Sequence, residues 1–330
     1  MTRLSIVIPV LGNVAELERT LVSVLANRPD DCEVLAILNT DYDDPYNLAE
    51  EVRFLAARPR SRYIECANVG IARSEAPIVH ILSAGMEVQE GWADAALESF
   101  DNPQVAAVAP LILSSDDSHR PLSAGVMYRS GGTRVTRSLR TAEKLLGPDQ
   151  QHTLFGPSSS AAFYRVGALD AVGGGLPNTL GNDLADIQLA MELHATGYES
   201  VFDPRVEILA DELPSWDGHG FRHGLHAERM FWLHAAERGK LKSLFLHPFT
   251  VLADAVSSLP SPAVFTQLLG RLAGCLPSGF SQQTTHRVAQ RPAVESAPAK
   301  LPEGMRIDAS HESRQSGQKK TPAPAERRAA

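Results

Sequence analysis

The sequence predicts an α/β protein built on a doubly wound β-sheet. As far as Pro110, short β-branched apolar runs alternate with segments of helical periodicity, which is the pattern of strands covered on both faces by helices. The chain has 330 residues, of which 43% are hydrophobic and 21% are charged. This composition supports one large or two ordinary globular domains, and it excludes a fibre or a wholly disordered chain.

The first two elements carry the clearest signals. Leu4–Val10 is β-branched and almost continuously apolar, as expected for a buried strand. Asn13 can cap the helix that follows, and Glu16 stands three positions later, as in a capping box. Apolar side chains then recur at helical spacing from Val14 to Leu25. A strand and a helix are therefore expected to open the chain.

Later apolar runs predict the rest of the sheet and its helices. Strands are expected at 33–38, 62–66, 78–82 and 105–110, and helices at about 45–57 and 90–100. Polar loops are expected at 114–119, 130–133 and 147–151, and 158–165 could form a strand. Asn182–Ala195 has the spacing of a helix that stops at Gly197, followed by a strand at 199–202. The pattern from 219 to 274 is mostly helical.

Charge is unevenly distributed along the chain. The formal net charge is −8, so the overall balance predicts no nucleic-acid partner. From Thr284 to Ala330, however, nine Lys and Arg stand against five Asp and Glu, and no aromatic residue follows Phe280. We expect this tail, residues 284–330, to be disordered because it lacks the apolar surface that would offset its ordering entropy.

Cysteine use and hydropathy bear on location. Three cysteines without CxxC spacing suggest neither a disulfide framework nor a Cys-based zinc site, so a reducing cytosol is the default. The first apolar run lacks a basic leader and a cleavage site, and no window reaches about 18 uninterrupted apolar residues. We expect a cytoplasmic protein, at most peripheral at the inner face of the membrane. Residues 241–274 could be an amphipathic helix pair that meets a membrane or a partner, or a helical cap on the α/β body.

Several segments resemble the family 2 glycosyltransferases. Leu4-Ser-Ile-Val-Ile-Pro-Val, the helix with Leu21-Val-Ser-Val-Leu and Glu33-Val-Leu-Ala-Ile-Leu-Asn resemble the opening of that family. The stretch from Asn68 to Gly85 resembles its Asn-x-Gly, short helix, strand and Asp-x-Asp. Segments at 160–165, 172–174 and 186–198 are similar to its acceptor-side half, and the eleven-residue spacing from Asp186 to Gly197 agrees with that between its general base and Gly-Tyr.

The resemblance implies a GT-A fold, a Rossmann-like, doubly wound mixed sheet. It divides the chain into a nucleotide-sugar-binding half (1–115), an acceptor-side half of the same domain (116–215), a C-terminal helical region (216–283) and the tail (284–330). It also implies transfer of a sugar, with inversion, from a nucleotide-sugar donor to a hydroxyl of a glycan or lipid-linked acceptor, with Asp186 as the base. The donor-binding positions that carry over are Pro9, Val10, Asn13, Asn39, Asp41, Asn68, Ser83 and Gly85.

The sequence departs from the family pattern where the donor would bind. Sugar transfer requires a neutralised leaving diphosphate, usually through a divalent cation held by carboxylates. Here the Asp-x-Asp position reads Ser83-Ala84-Gly85, so Mn²⁺ or Mg²⁺ would need other ligands, for which Glu87 and His219 are weak candidates. Basic residues such as Arg73 or Arg165 could neutralise the leaving group instead.

Three further features have two interpretations each. Asn39 stands where the family has a base-reading Asp and could hydrogen-bond a uracil-like edge, but the acidic residues after it could equally be turn and capping residues. Asp186 and Asp183 could do no more than cap their helix. His219, His223 and His226 fall at i, i+4 and i+7, a spacing that suits a metal but is commoner in ordinary surface histidines.

The sequence therefore leaves two functions open. One is an inverting glycosyltransferase. The other is a catalytically inactive GT-A-fold binding or scaffold protein that has lost its metal and donor site. Fold alone does not decide between them.

Overall fold

The computed structural model describes residues 2–129, 131–137, 154–214, 220–237, 240–257 and 261–276. Its helices are α1 (Val14–Asn27), α2 (Tyr63–Arg73), α3 (Trp92–Ser99), α4 (Val166–Ala171), α5 (Ala185–Ala195), α6 (Phe221–Glu237), α7 (Lys240–Ser257) and α8 (Ala263–Gly274). Its strands are β1 (Leu4–Val10), β2 (Cys32–Leu38), β3 (Val52–Ala56), β4 (Ile78–Leu82), β5 (Glu87–Val88), β6 (Val105–Ser114), β7 (Pro121–Ser123), β8 (Val126–Arg129), β9 (Thr133–Thr136), β10 (Leu154–Gly156), β11 (Ala161–Arg165) and β12 (Glu199–Ala210).

The strands form one large mixed sheet and one small antiparallel sheet. The large sheet has the order β3-β2-β1-β4-β11-β6-β12-β5, with β7 beside β6. Strands β1 to β4 run parallel to one another, whereas β11 runs antiparallel between β4 and β6. The small sheet has the order β10-β8-β9. The predicted doubly wound, mixed α/β sheet is confirmed.

The large sheet is covered on both faces because successive side chains of its central strands point to opposite sides. Ile6 and Ile8 of β1 pack with α1 and α3, whereas Val7 packs with α2, α4 and α5. Helix α2 lies so close to β1 that a Cβ on Gly70 would stand 2.2 Å from a methyl group of Val7. These contacts explain why β1 is apolar along its whole length.

Two of the predicted elements are wrong in type. The segment 45–57, predicted as a helix, contains the 3₁₀ turn Leu48–Glu50 and strand β3, which pairs in parallel with β2. The run 62–66, predicted as a strand, belongs to helix α2, whose first turn is closed by a hydrogen bond from Arg62 N to Glu65 Oε2 at 2.9 Å. Both are short apolar runs, for which periodicity alone does not separate helix from strand.

The other expected elements agree with the structure where it describes them. Asn13 caps α1, because its side chain accepts a hydrogen bond from the Glu16 amide. The strand expected within 158–165 is β11, and the helical pattern after 219 becomes α6, α7 and α8. Strands β8 and β9 were not predicted, and they occupy part of a stretch expected to form polar loops. The loop at 147–151 and the tail at 284–330 lie outside the described residues.

Among the helices in the described ranges, none has both the length and the hydropathy that a membrane span requires. The domain limits at 115, 215 and 283 stay a prediction.

Candidate active site

The carboxyl ends of β1, β2 and β4 meet at one edge of the sheet, where the family resemblance places the donor. Pro9 and Val10 end β1 and are buried. Asn39, directly after β2, donates from its backbone to Val10 O at 3.1 Å and from its side chain to Ser61 O at 2.6 Å. Asp41 is exposed. The Asn39 amide is thus engaged in holding together the loops at this edge.

Asn68, another expected donor residue, fastens a loop. Its side chain donates to Leu176 O at 2.8 Å and accepts from Leu176 N at 2.7 Å. A Cβ on Gly175 would stand 2.5 Å from Asn68 Oδ1, so the loop approaches closely. Asn68 therefore connects α2 to the turn after α4.

The residues that stand at the position of the family's Asp-x-Asp make hydrogen bonds within the protein. Ser83 is 1% exposed, and its hydroxyl donates to the Tyr63 hydroxyl at 2.9 Å. Tyr63 in turn donates to Ser159 O at 2.8 Å. Burial raises the pKa of Tyr63, so its hydroxyl keeps its proton at neutral pH. Gly85 has φ +92° and donates from its backbone to Thr20 Oγ1 at 2.9 Å.

The residues present do not fit a divalent cation at this edge. Neither Ser83 nor Gly85 offers a carboxylate, and hard cations need several oxygen ligands. Glu87, the nearest carboxylate along the chain, pairs with Arg19 at 3.7 Å, and Arg19 also pairs with Asp211 at 2.8 Å. Within the described part of the chain, no group of three or more His, Cys, Asp or Glu is placed to hold a metal ion. His219, the other candidate, lies outside the described residues.

Asp186 lies in the first turn of α5 and is held by an arginine from the small sheet. It is 2% exposed, and Arg134 of β9 binds it through two nitrogens, with Nε to Oδ1 at 3.0 Å and Nη2 to Oδ2 at 2.7 Å. The backbone amide of Ile187 donates to Oδ1 at 2.8 Å. Both carboxylate oxygens are therefore satisfied by bidentate and charge-assisted hydrogen bonds.

The charge balance around Arg134 favours its ionised form. Burial alone would lower the pKa of Arg134, but the Asp186 carboxylate and, to a lesser extent, Asp183 raise it above its ordinary value. The ion pair is partly open on one side only, because the Arg134 side chain is 27% exposed and that of Asp186 is 1% exposed. Whatever approaches this pair meets the guanidinium first.

Arg134 borders a cavity of about 320 Å³. One wall is the β8–β9 hairpin, and a second consists of the loops before β11 and α5, with Ser158, Ser159 and Asp183. The helices α6, α7 and α8 supply His223, Asp254 and Arg271. The cavity thus combines two guanidinium groups, two carboxylates, an imidazole and hydroxyls, which suits a polar ligand.

The wall formed by α6, α7 and α8 is held by a buried charge network. Glu228 of α6 is 2% exposed, and both of its oxygens lie 3.1 Å from His247 Nε2. Arg271 Nη1 donates to Glu228 at 3.4 Å, and Arg271 Nη2 donates to Asp254 at 2.7 Å. Burial alone would raise the pKa of Glu228, but the interaction with His247, the hydrogen bond from Cys275 and the nearby Arg271 guanidinium outweigh it and lower this pKa.

The same network connects to the hairpin that carries Arg134. His247 Nδ1 lies 2.8 Å from Gly131 O, and the His247 ring stacks on Phe231 with centroids 3.6 Å apart. A Cβ on Gly131 would stand 2.0 Å from Thr250 Oγ1, so only glycine allows this approach. The β8–β9 turn therefore packs against α7 at Gly131, which lies three residues before Arg134.

Several of these residues were not expected from the sequence. Arg134, Arg271, Glu228 and His247 carry no motif, and Arg134 lies in a stretch with a loop-like pattern. Arg165, which was a candidate cation, instead donates to backbone carbonyl groups of Phe100, Asn102 and Val105. His223 and Asp183, singled out by their spacing, do line the cavity.

The chain matches the family model described as "Glycosyl transferase family 2" over residues 5–173, about half of its length. It belongs to that family. Among curated proteins, none matches the sequence.

Solved structures share the fold. The mannosyltransferase PcManGT from Pyrobaculum calidifontis, in complex with GDP-Man and Mn2+, aligns over 87% of this chain and 84% of its own, with 17% identity and a TM-score of 0.50. S. aureus TarS 1-349 aligns over 83% and 80%, with 12% identity and a TM-score of 0.56. GalNAc-T7 with UDP, GalNAc and Mn2+ aligns over 69% of this chain and 47% of its own, with 15% identity and a TM-score of 0.52. The predicted GT-A fold is confirmed.

Proposed function

We propose that the protein transfers a sugar, with inversion, from a nucleotide-sugar donor to a hydroxyl of a glycan or lipid-linked acceptor. The observation that carries the proposal is the Arg134–Asp186 pair, whose guanidinium borders a polar cavity, in a family 2 glycosyl transferase. Two of the relatives by fold hold nucleotide sugars or their parts, according to their titles. The donor-edge residues Pro9, Val10, Asn13, Asn39, Asp41, Asn68, Ser83 and Gly85 belong to the same proposal.

Arg134 takes the part that a metal would otherwise play. A leaving nucleoside diphosphate develops negative charge, and a guanidinium in a partly dry cavity stabilises such charge strongly. Arg271, which lines the same cavity, adds a second cation. This assignment matches a strand end that offers no carboxylate to a cation at Ser83 or Gly85.

Asp186 is the base, and Arg134 controls it. While the carboxylate accepts hydrogen bonds from Arg134 and Ile187 N, both of its oxygens are occupied. An anionic donor competes for Arg134, and departure of the guanidinium leaves Oδ2 of Asp186 open to accept a proton. The carboxylate then takes the proton of the acceptor hydroxyl as that oxygen attacks the sugar.

The test is release of nucleoside diphosphate from UDP-, GDP- and dTDP-sugars by the full chain, with Mg²⁺, with Mn²⁺ and with EDTA. We expect turnover of one donor in EDTA, and a loss of about 10²-fold or more in both Asp186→Asn and Arg134→Ala. Arg53→Ala is the control, because Arg53 lies outside the cavity lining and its ion pairs within the described residues are with Glu33 and Glu75. Turnover that depends strictly on the metal would overturn the role of Arg134.

The second candidate is an inactive GT-A-fold scaffold. It is favoured by the internally bonded Ser83–Gly85 turn and by the occupied carboxylate of Asp186. Thermal denaturation with the same donors separates the two candidates, since a ligand at about 100 times its Kd adds roughly 2.7 kcal/mol of stability. A shift without turnover, or no shift with any donor, favours the scaffold.

A cytoplasmic location and a peripheral contact with the inner face of the membrane through residues 241–274 complete the proposal. That contact is independent of the transfer chemistry.

A further inference from the structure

Helices α7 and α8 are amphipathic, but their polar faces are buried and their apolar faces are exposed. Their polar side chains face the protein, where Asp254 of α7 accepts hydrogen bonds from Gln267 and Arg271 of α8. Gln267 is 3% exposed and Arg271 6%. A helical cap on an apolar body would do the opposite and turn its apolar side inward.

The opposite faces of both helices are apolar and open. On α7 the exposed side chains recur at the spacing of one helical face, and we name them the α7 stripe: Phe245, Phe249, Leu252 and Val256. On and just after α8 the same spacing gives the α8 stripe: Phe265, Leu269, Leu272 and Leu276. Phe245 is 71% exposed and Phe265 is 70% exposed. Large apolar side chains grouped in this way on a surface mark an interaction site.

The charge of this region identifies the kind of partner. From Arg238 to Ala330 the sequence has thirteen Lys and Arg against six Asp and Glu, a net charge of +7, whereas the preceding residues carry −15. Between Arg238 and Leu276 the single acidic residue is Asp254, which faces inward on Arg271. The stripes therefore lie in a cationic part of an acidic chain, which suits an anionic lipid surface.

We propose that the α7 and α8 stripes dock the protein on a bilayer containing anionic phospholipid. The Phe and Leu side chains would enter the interface between head groups and acyl chains, and the net positive charge of the sequence from Arg238 onward would favour a surface of anionic lipid. The inward faces of the same helices supply Asp254 and Arg271 to the cavity, so the helices that contact the membrane would also form a wall of the cavity. The proposal does not rest on transfer activity.

Co-sedimentation of the full chain with phosphatidylcholine vesicles, with and without phosphatidylglycerol, tests it. We expect binding to the anionic vesicles, little binding to the neutral ones, and weaker binding as salt is raised. Two double variants, Phe245→Ser/Phe249→Ser and Phe265→Ser/Leu269→Ser, remove one stripe each. Each should lower vesicle affinity at least about tenfold while its melting temperature stays at the wild-type value, because the replaced side chains are exposed.

The matched control is Val22→Ser/Tyr46→Ser, which removes two apolar side chains that are 72% and 63% exposed elsewhere on the surface. It should bind vesicles like the wild type. The proposal is overturned if the wild type ignores anionic vesicles, or if both stripe variants bind as well as the control. Light scattering adds a third outcome: a wild-type dimer that the stripe variants make monomeric, without vesicle binding, would assign the stripes to a second copy of the chain. Donor-induced thermal shifts stay unchanged in the stripe variants whichever result is obtained.

Discussion

Two buried histidines show how differently the large sheet and the C-terminal helices are built. His80 of β4 is fully buried, stacks on Phe163 with centroids 3.8 Å apart, and has its pKa lowered to about 3 by burial. His247 of α7 also stacks on a phenylalanine, but each of its ring nitrogens faces an oxygen, from Glu228 or Gly131. The sheet around His80 excludes charge from its interior, whereas the helices α6, α7 and α8 enclose charged side chains.

This difference shows in which part of the molecule apolar periodicity predicts the buried face of an element. Around β1 both faces are apolar, so the buried pattern is visible in the sequence. Between α6, α7 and α8 the buried side chains include Glu228, Arg271 and Gln267, and the exposed ones include phenylalanine and leucine. A hydropathy pattern locates these helices but assigns their faces the wrong way round.

Breaking the charge network should have the largest effect. Glu228→Gln removes the buried charge that His247 and Arg271 face, and we expect a loss of about 3 kcal/mol at pH 7, because their buried donors lose a charged acceptor while Arg271 keeps its pair with Asp254. Glu51→Gln breaks the exposed pair with Arg28 and should cost less than about 1 kcal/mol. Urea denaturation measures both.

The pH dependence tests the same network. Since the folded-state pKa of Glu228 is lowered, its contribution to stability is present above its unfolded pKa of about 4.3 and is lost as pH falls through the folded pKa. The difference between wild type and Glu228→Gln should therefore shrink below about pH 4. If the two proteins differed equally in free energy of unfolding at pH 7 and below about pH 4, the result would contradict a stabilising ion pair at Glu228.

The variant His80→Phe tests the buried histidine of the large sheet. Because the pKa of His80 falls from 6.5 unfolded to about 3 folded, the unfolded chain takes up a proton first as pH drops, and the folded state loses stability. Relative to pH 7, the wild type should lose about 2.5 kcal/mol at pH 4.5 through this residue, and His80→Phe should not. His194→Phe, at an exposed position on α5, should keep the wild-type profile.

The smallest effect is expected at the altered Asp-x-Asp turn. Gly85→Ala places a Cβ at φ +92°, close to Glu16, and should destabilise the protein by about 1 kcal/mol. Gly167→Ala in α4 meets nothing within 4 Å and should be neutral or slightly stabilising. Melting temperatures of the pair provide the measurement, and equal losses would show that backbone strain at Gly85 is unimportant.

The sequence predicted most of the fold and the region of the site. Strands β1, β2, β4 and β6 were located because each is a buried run bounded by turn or capping residues. Strand β3 and helix α2 were misassigned, since parallel pairing with β2 decides the first and a first turn capped by the Glu65 side chain decides the second. A short apolar run has the same local pattern in a strand as in a helix, so the sequence alone does not separate the two.

What the sequence by itself determined is the layered α/β architecture, the family, and the position of Asp186 at the start of a helix, because these depend on local periodicity and spacing. Only the tertiary structure decided that Arg134, 52 residues away, takes hold of Asp186. It also decided that Ser83 and Asn68 are bound to neighbouring loops, and that α7 and α8 turn their charges inward. Contacts between distant segments follow from packing, since the partner of a charged side chain is chosen by the geometry that brings the two together.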